Sequence, residues 1–257
     1  MTTVLLIRHG RTSANTSGIL AGRSEGVQLD EVGHQQVAAL AQRLVGVPLA
    51  ALVSSPMERC RQTSQAVLDA RGDGLSVTLD EGLTECGYGD WTGKALRDLA
   101  KEDLWKTVQT HPSAVRFPGG ESMTEMSGRV VQTVRRLDAE MAATHGDDAV
   151  WALVSHGDPL KAVLADALGL HLDSFQRIMV DPASLSIVRY TATRPYVVTS
   201  NSTNADLAAL LSPPPKDASR SEDAAVGGGL GAAGHEAPAA DEASAEPTAP
   251  AGPATLT

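Results

Sequence analysis

Aromatic side chains are scarce. Three Trp, three Tyr and two Phe make up 3% of the 257 residues, so Leu, Val and Ala must build most of any core. Basic residues are also few, 21 Lys and Arg against 31 Asp and Glu, for a formal net charge of -10. A general nucleic-acid or membrane-surface binder would carry a basic patch, so neither partner is expected. Part of the acidity lies in the tail: from Pro213 onward there are two basic and seven acidic residues. The folded part is therefore only mildly acidic, and a local basic pocket remains open to it. Only two cysteines occur, Cys60 and Cys86, and neither belongs to a Cys-x-x-Cys pair. That excludes the usual zinc and thioredoxin-type motifs. No apolar run approaches the ~18 residues of a membrane span. The N-terminus enters a strand almost at once and leaves no room for a signal peptide, so the cytoplasm is the expected compartment. What is present is ordinary globular composition, 42% hydrophobic and 20% charged, enough for one large domain or two small ones.

The chain is organised around Val4-Leu5-Leu6-Ile7-Arg8-His9-Gly10-Arg11-Thr12. Four apolar residues in a row read as a strand buried on both faces. The strand delivers a guanidinium and an imidazole to its carboxyl end, the edge at which open α/β sheets bind ligands. Ala149-Val150-Trp151-Ala152-Leu153-Val154 is the clearest second buried strand, and it ends in Ser155-His156-Gly157. If both strands are parallel and central, both histidines share one edge of the sheet.

Between them the chain alternates. Residues 11–29 read as a polar loop. Asp30 is an N-cap for a helix whose apolar face is Val37, Leu40, Ala41 and Leu44. Residues 51–53 form a short strand. Ser55-Pro56-Met57-Glu58 reads as a capping box with proline at the first helical position. That places Arg59 in the first turn of a helix, at its anion-attracting end. Residues 76–79 are a third strand. A glycine-rich loop spans 81–93, a helix covers about 95–107, and a long helix starts near Glu121 or Ser122 and ends at His145-Gly146. Asp158 and Pro159 read as the N-cap and first residue of a helix ending at Gly169, and residues 185–190 and 196–199 as a final hairpin. This order predicts a three-layer α/β/α fold with a mostly parallel central sheet. Past Leu211 the chain turns to Pro, Ala, Gly, Ser and acidic residues. Residues 212–257 are expected to be a disordered tail, because they hold too little apolar surface to offset their ordering entropy.

Arg8, Arg59, His156 and a helix N-terminus form a concentrated positive pocket in an acidic protein. Guanidinium forks match phosphate oxygens two at a time, so the implied ligand is a phosphate group. A neutral imidazole nitrogen of His9 can attack phosphorus while its other nitrogen donates to a backbone carbonyl. The cations stabilise the phosphoryl oxygens during transfer, which removes the need for magnesium. A leaving alkoxide still needs a proton, and Glu81, Glu85 and Asp90 are all candidates by spacing.

Five motifs in order resemble the histidine phosphatase superfamily, which includes the cofactor-dependent phosphoglycerate mutases. They are Arg8-His9-Gly10 with Thr12 and Asn15; Ser54-Ser55-Pro56-x-x-Arg59-x-x-Gln62-Thr63; Leu83-x-Glu85-x-x-x-Gly89-x-Trp91-x-Gly93; Pro118-Gly119-Gly120-Glu121-Ser122; and Val154-Ser155-His156-Gly157. The match runs from residue 3 to about 204. The resemblance implies a phosphoglycerate mutase-like fold over residues 1–211, with 87–129 as a lid that sets substrate specificity. It implies that His9 becomes a phosphohistidine and that Arg8, Asn15, Arg59 and His156 bind the phosphoryl group, with Gly157 and Ser122 at the substrate. It selects Glu85 as the proton donor. It implies no cofactor and no metal, a small-molecule phosphate ester as substrate and inorganic phosphate as product.

Dedicated phosphoglycerate mutases of that family show Glu-Arg-His-Tyr-Gly where this chain has Glu85-Cys86-Gly87-Tyr88-Gly89. The missing arginine and histidine favour a metal-independent phosphomonoesterase over a phosphomutase. Two further alternatives are a non-catalytic phospholigand-binding protein and a metallohydrolase using His9, His156 and Asp158. Cys60 follows Arg59 and Cys86 follows Glu85, so a redox-sensitive thiol pair is conceivable; two inert buried cysteines are favoured. Natural substrate and oligomeric state are not legible in the sequence.

Overall fold

Four consecutive apolar residues make the first strand because both of its faces are covered. The computed structural model describes residues 1–204. In strand β1 (Thr2–Arg8), Val4 and Leu6 enter one hydrophobic cluster, while Leu5 and Ile7 enter another on the opposite face. All four are buried, and each such side chain contributes about 1.5–3 kcal/mol.

The chain continues through α1 (Ser13–Thr16) and α2 (Glu31–Leu44) to β2 (Leu49–Ser54), then through α3 (Glu58–Arg71) to β3 (Val77–Leu79). Two small helices, α4 (Leu96–Leu99) and α5 (Asp103–Thr110), and the long α6 (Met123–His145) lead to β4 (Val150–Ser155). Helix α7 (Gly157–Leu168) leads to β5 (Leu185–Tyr190) and β6 (Pro195–Ser202). The sheet has the order β3-β2-β4-β1-β5-β6. The first four strands in that order are parallel, and β5 and β6 extend it as an antiparallel hairpin. Helices α2 and α3 cover one face, α6 and α7 the other. The result is the expected three-layer α/β/α arrangement.

The adjacent strands β1 and β4 send the chain to opposite faces, β1 towards α2 and β4 into α7. That divergence opens a crevice at their carboxyl ends. Register aligns those ends: Arg8 pairs with Ser155, and Ser54 pairs with Val154. His9, Ser55 and His156 therefore leave the sheet side by side.

Several local expectations hold. Asp30 accepts from Gly33 N at 2.7 Å as the N-cap of α2. Ser122 caps α6 with a reciprocal box from Glu125. Three differ. Ser55 does not open a capping box; α3 begins at Glu58 with Met57 as an N-cap that makes no side-chain bond, and the Ser55 hydroxyl meets His156 at 2.8 Å while accepting from Met57 N at 3.4 Å. Asp158 is not the N-cap of α7; His156 is, and Asp158 lies inside the first turn, fully buried. The helix expected over 95–107 is two short helices, broken where Glu102 takes an extended conformation. Residues 205–211 and the 212–257 tail lie outside the described residues. Among the described residues, no helix is long and apolar enough to cross a membrane.

Candidate active site

His9 sits one residue past the end of β1, with its backbone N–H bonded to Ser155 O at 3.0 Å. Its ring is buried. Nδ1 lies 2.7 Å from Gly10 O, a carbonyl that can only accept, so Nδ1 carries the proton. Nε2 accepts from Arg59 Nε at 3.3 Å, so it carries the lone pair. Burial first, then the charges of Arg59 and Arg8, hold His9 well below the usual imidazole range. The ring is a neutral imidazole of fixed tautomer, its lone pair beside a guanidinium.

Arg59 occupies the first turn of α3 and is 2% exposed. Its Nη2 donates to Gly22 O at 2.7 Å, which aims the side chain across the sheet edge. Its Nη1 is buried and has no hydrogen-bond partner among the described residues. A buried guanidinium nitrogen left open costs free energy unless a ligand fills it, and an anionic oxygen would. Arg8 lies deeper, its Nη1 on Val180 O at 2.8 Å.

His156 stands behind His9, the ring centroids 5.2 Å apart in an edge-to-face arrangement. Its Nε2 meets the Ser55 hydroxyl at 2.8 Å, and the Cys60 thiol lies 3.5 Å away. Burial, then the Arg59 charge, keeps this imidazole neutral too. Cys60 is pushed up to about 12, chiefly by burial, and is an inert thiol. Both cysteines are free, and they belong to the two clusters on opposite faces of the sheet. A thiol pair next to the site has no support in this geometry.

Of the three carboxyl candidates, Glu81 and Asp90 are exposed and only Glu85 is buried against the cleft. Its Oε1 accepts from Cys86 N at 2.9 Å. Burial, then the Asp158 charge, raises its carboxyl to about 8, against the pull of Arg59 and Arg8. It therefore holds a proton at neutral pH. The backbone around it is clamped. Arg23 Nε donates to Glu85 O at 2.7 Å, and Arg129 donates to the carbonyls of Gly82, Thr84 and Glu85. Glu121 accepts from Arg23, Arg129 and Gly87 N, and so binds the clamp together.

The cleft is lined by His9, Thr12, Asn15, Arg59, Glu85 and Tyr88, with the apolar Ala14, Ile19, Leu20, Ala21 and Leu96 and the backbone of Gly22 completing its wall. Asn15 Oδ1 accepts from Thr12 N and Thr12 Oγ1, which orients its amide. Arg8 and His156 lie behind the lining residues. Gly157 is the first residue of α7, next to His156, and does not line the cleft itself. Ser122 is not among the lining residues either; its hydroxyl caps α6. Ser55, Arg23, Arg129 and the partner of Asp158, Tyr88, were not legible as site residues. Their contacts join segments 44 to 101 residues apart, which no local pattern reports. Among the described residues, no group of three or more His, Cys, Asp or Glu side chains is placed to hold a metal ion. The alternative built on His9, His156 and Asp158 lacks its geometry, since Asp158 faces Tyr88.

The family model of the histidine phosphatase superfamily (branch 1) matches residues 4–203. The chain belongs to that superfamily. Superfamily members are phosphatases or mutases. The chain is 34% identical over 197 residues to "Bifunctional protein Rv2228c" of Mycobacterium tuberculosis, covering 74% of this chain and 51% of that protein. It thus spans about half the length of that relative. It is 32% identical over 192 residues to "Probable phosphoglycerate mutase GpmB" of Yersinia pestis, covering 74% of this chain and 86% of the relative. The solved structure of Bacillus stearothermophilus YhfR matches with a TM-score of 0.72 at 25% identity, over 79% of this chain and 98% of the other.

Proposed function

We propose that this superfamily member is a metal-independent phosphomonoesterase that acts on a small phosphorylated metabolite through a phosphohistidine at His9. The observation that carries this reading is the fixed tautomer of His9, whose Nε2 lone pair meets Arg59 Nε, while Nη1 of the same buried guanidinium has no partner among the described residues.

The phosphoryl group of the ester enters between Arg59, Asn15 and His9, with Arg8 and His156 behind. The Arg59 Nε–H leaves His9 Nε2 for a phosphoryl oxygen. Nε2 attacks phosphorus in line with the ester oxygen, and the N–P bond forms as the P–O bond breaks. Glu85 gives its proton to the departing oxygen. The guanidinium charges meet the negative charge spread over the phosphoryl oxygens, the task that a metal ion performs in other phosphoryl-transfer sites. Water then attacks the phosphohistidine, Glu85 takes back a proton, and inorganic phosphate leaves.

The name of the Yersinia relative favours a second reading, a phosphomutase working through the same intermediate. Against it, Cys86 and Gly87 stand where dedicated mutases carry the arginine and histidine that hold a sugar-acid phosphate. Supplying a phosphoglycerate and following isomerisation against phosphate release decides between the two. Phosphatase activity requires phosphate release to dominate, and isomerisation without release would overturn it. A screen of phosphorylated metabolites for phosphate release identifies the substrate.

A further inference from the structure

Asp158 has no place in the steps above, yet it is 0% exposed, two residues past His156 in the first turn of α7. A buried carboxylate is costly unless its surroundings use it. Its Oδ2 accepts the Tyr88 hydroxyl at 2.7 Å. Tyr88 lies three residues beyond Glu85 in the same loop, and both line the cleft. Asp158 therefore ties the helix that carries His156 to the loop that carries Glu85. One turn along α7, Lys161 sets its Nζ 3.8 Å from Asp158 Oδ1. That distance is long for an ion pair; the ammonium bonds Gln176 at 3.0 Å instead.

We propose that Asp158 is a positioning residue for the reaction: it anchors Tyr88 in the cleft wall and brings a carboxylate from α7 to the loop that carries Glu85. This rests on the reading of Glu85 as the proton donor. The charged groups around Glu85 come from several elements: Arg8 at the end of β1, Arg59 on α3, Asp158 and Lys161 on α7, and Arg23 and Arg129, which hold its backbone carbonyl and are themselves paired with Glu121. Arg8 and Arg59 are needed for the phosphoryl group, and both favour an ionised Glu85. An ionised Glu85 is useless to a leaving alkoxide. Asp158 acts in the opposite direction and in the same sense as burial. Tyr88, raised far above its ordinary range by burial and then by Asp158, stays a neutral donor.

The test is the pH profile of kcat/KM for an alkyl phosphate, measured on the full chain. Glu85→Gln first assigns the alkaline limb, which must vanish in that variant. If it does not, the reading of Glu85 fails and the proposal falls with it. Given that limb, Asp158→Asn keeps an acceptor for Tyr88 but removes the charge. It is expected to move the limb towards acid by about one pH unit. Tyr88→Phe is expected to lower kcat/KM across the whole range and leave the limb in place. Asp158→Ser, smaller and also uncharged, is expected to move the limb the same way and serves if Asp158→Asn does not fold. A limb that stays put in a folded Asp158→Asn or Asp158→Ser protein overturns the proposal while leaving the phosphatase reading intact.

Discussion

Replacing Glu85 by Gln separates its proton from its shape. The amide keeps the size of the side chain and its bond from Cys86 N, but it has no proton to donate. A positioned general acid contributes about 10²–10⁴-fold in rate. That full factor is expected for an alkyl phosphate, whose alkoxide cannot leave unprotonated. It is expected to shrink to about tenfold or less for p-nitrophenyl phosphate, whose phenolate leaves without help. The pH dependence follows with a definite sign. As the proposed proton donor, Glu85 works in its protonated form, and its carboxyl is raised to about 8. The protonated fraction is then about nine-tenths at pH ~7 and about one-tenth at pH ~9, so the alkyl phosphate rate falls about tenfold across that interval. The assay is phosphate release from the two esters, from about pH 6 to about pH 10, by the unmodified chain and by Glu85→Gln. Equal slowing of both esters, or an alkaline limb that survives the substitution, refutes the reasoning.

The same buried groups shape stability. His9 and His156 are held low, so below about 6.5 the unfolded chain takes up two protons that the native state refuses. Glu85 is raised, so between about 4.5 and about 8 the native state holds one proton that the unfolded chain releases. At about 1.4 kcal/mol per proton per pH unit, these three groups lower stability on both sides of pH ~6.5. Urea midpoints from about pH 5 to about pH 8 are expected to peak there, and Glu85→Gln is expected to abolish the alkaline decline; an unchanged decline contradicts the assignment. Gly89 has φ +52°, and a Cβ on it would run into Pro118 O. Gly89→Ala is expected to cost more than about 1 kcal/mol in thermal unfolding, and a change under about 0.5 kcal/mol would count against this reading of the loop. Ser55→Ala removes the hydroxyl that meets buried His156 Nε2, at an expected cost of about 1–3 kcal/mol, measured by denaturant titration. A neutral result would mean that the imidazole finds another partner.

The sheet and its paired histidines were legible because the signals are local. An uninterrupted apolar run followed by His-Gly marks a buried strand and its carboxyl end, and it occurs twice. Ser55 and Asp158 misled for a reason that is equally physical. A serine or aspartate just ahead of a helix reads as a cap, and a cap contributes about 1 kcal/mol. A buried imidazole or phenol without a partner costs more than that cap gains, so Ser55 turned to His156 and Asp158 to Tyr88. Spacing left Glu81, Glu85 and Asp90 equivalent, and the resemblance alone selected Glu85. Burial is what separates them, and burial depends on packing by α6 and α7 from far along the chain. The clamp of Arg23, Glu121 and Arg129 was out of reach for the same reason.

The covalent intermediate is the most direct test of the whole account. Rapid acid-free quenching of the enzyme during turnover of a radiolabelled phosphate ester, followed by peptide mapping, is expected to find label on His9 as an acid-labile phosphoramidate. The label is expected to be absent from His9→Ala, which is also expected to be inactive. Turnover by His9→Ala at the rate of the unmodified chain, or label on a different residue, would contradict the account.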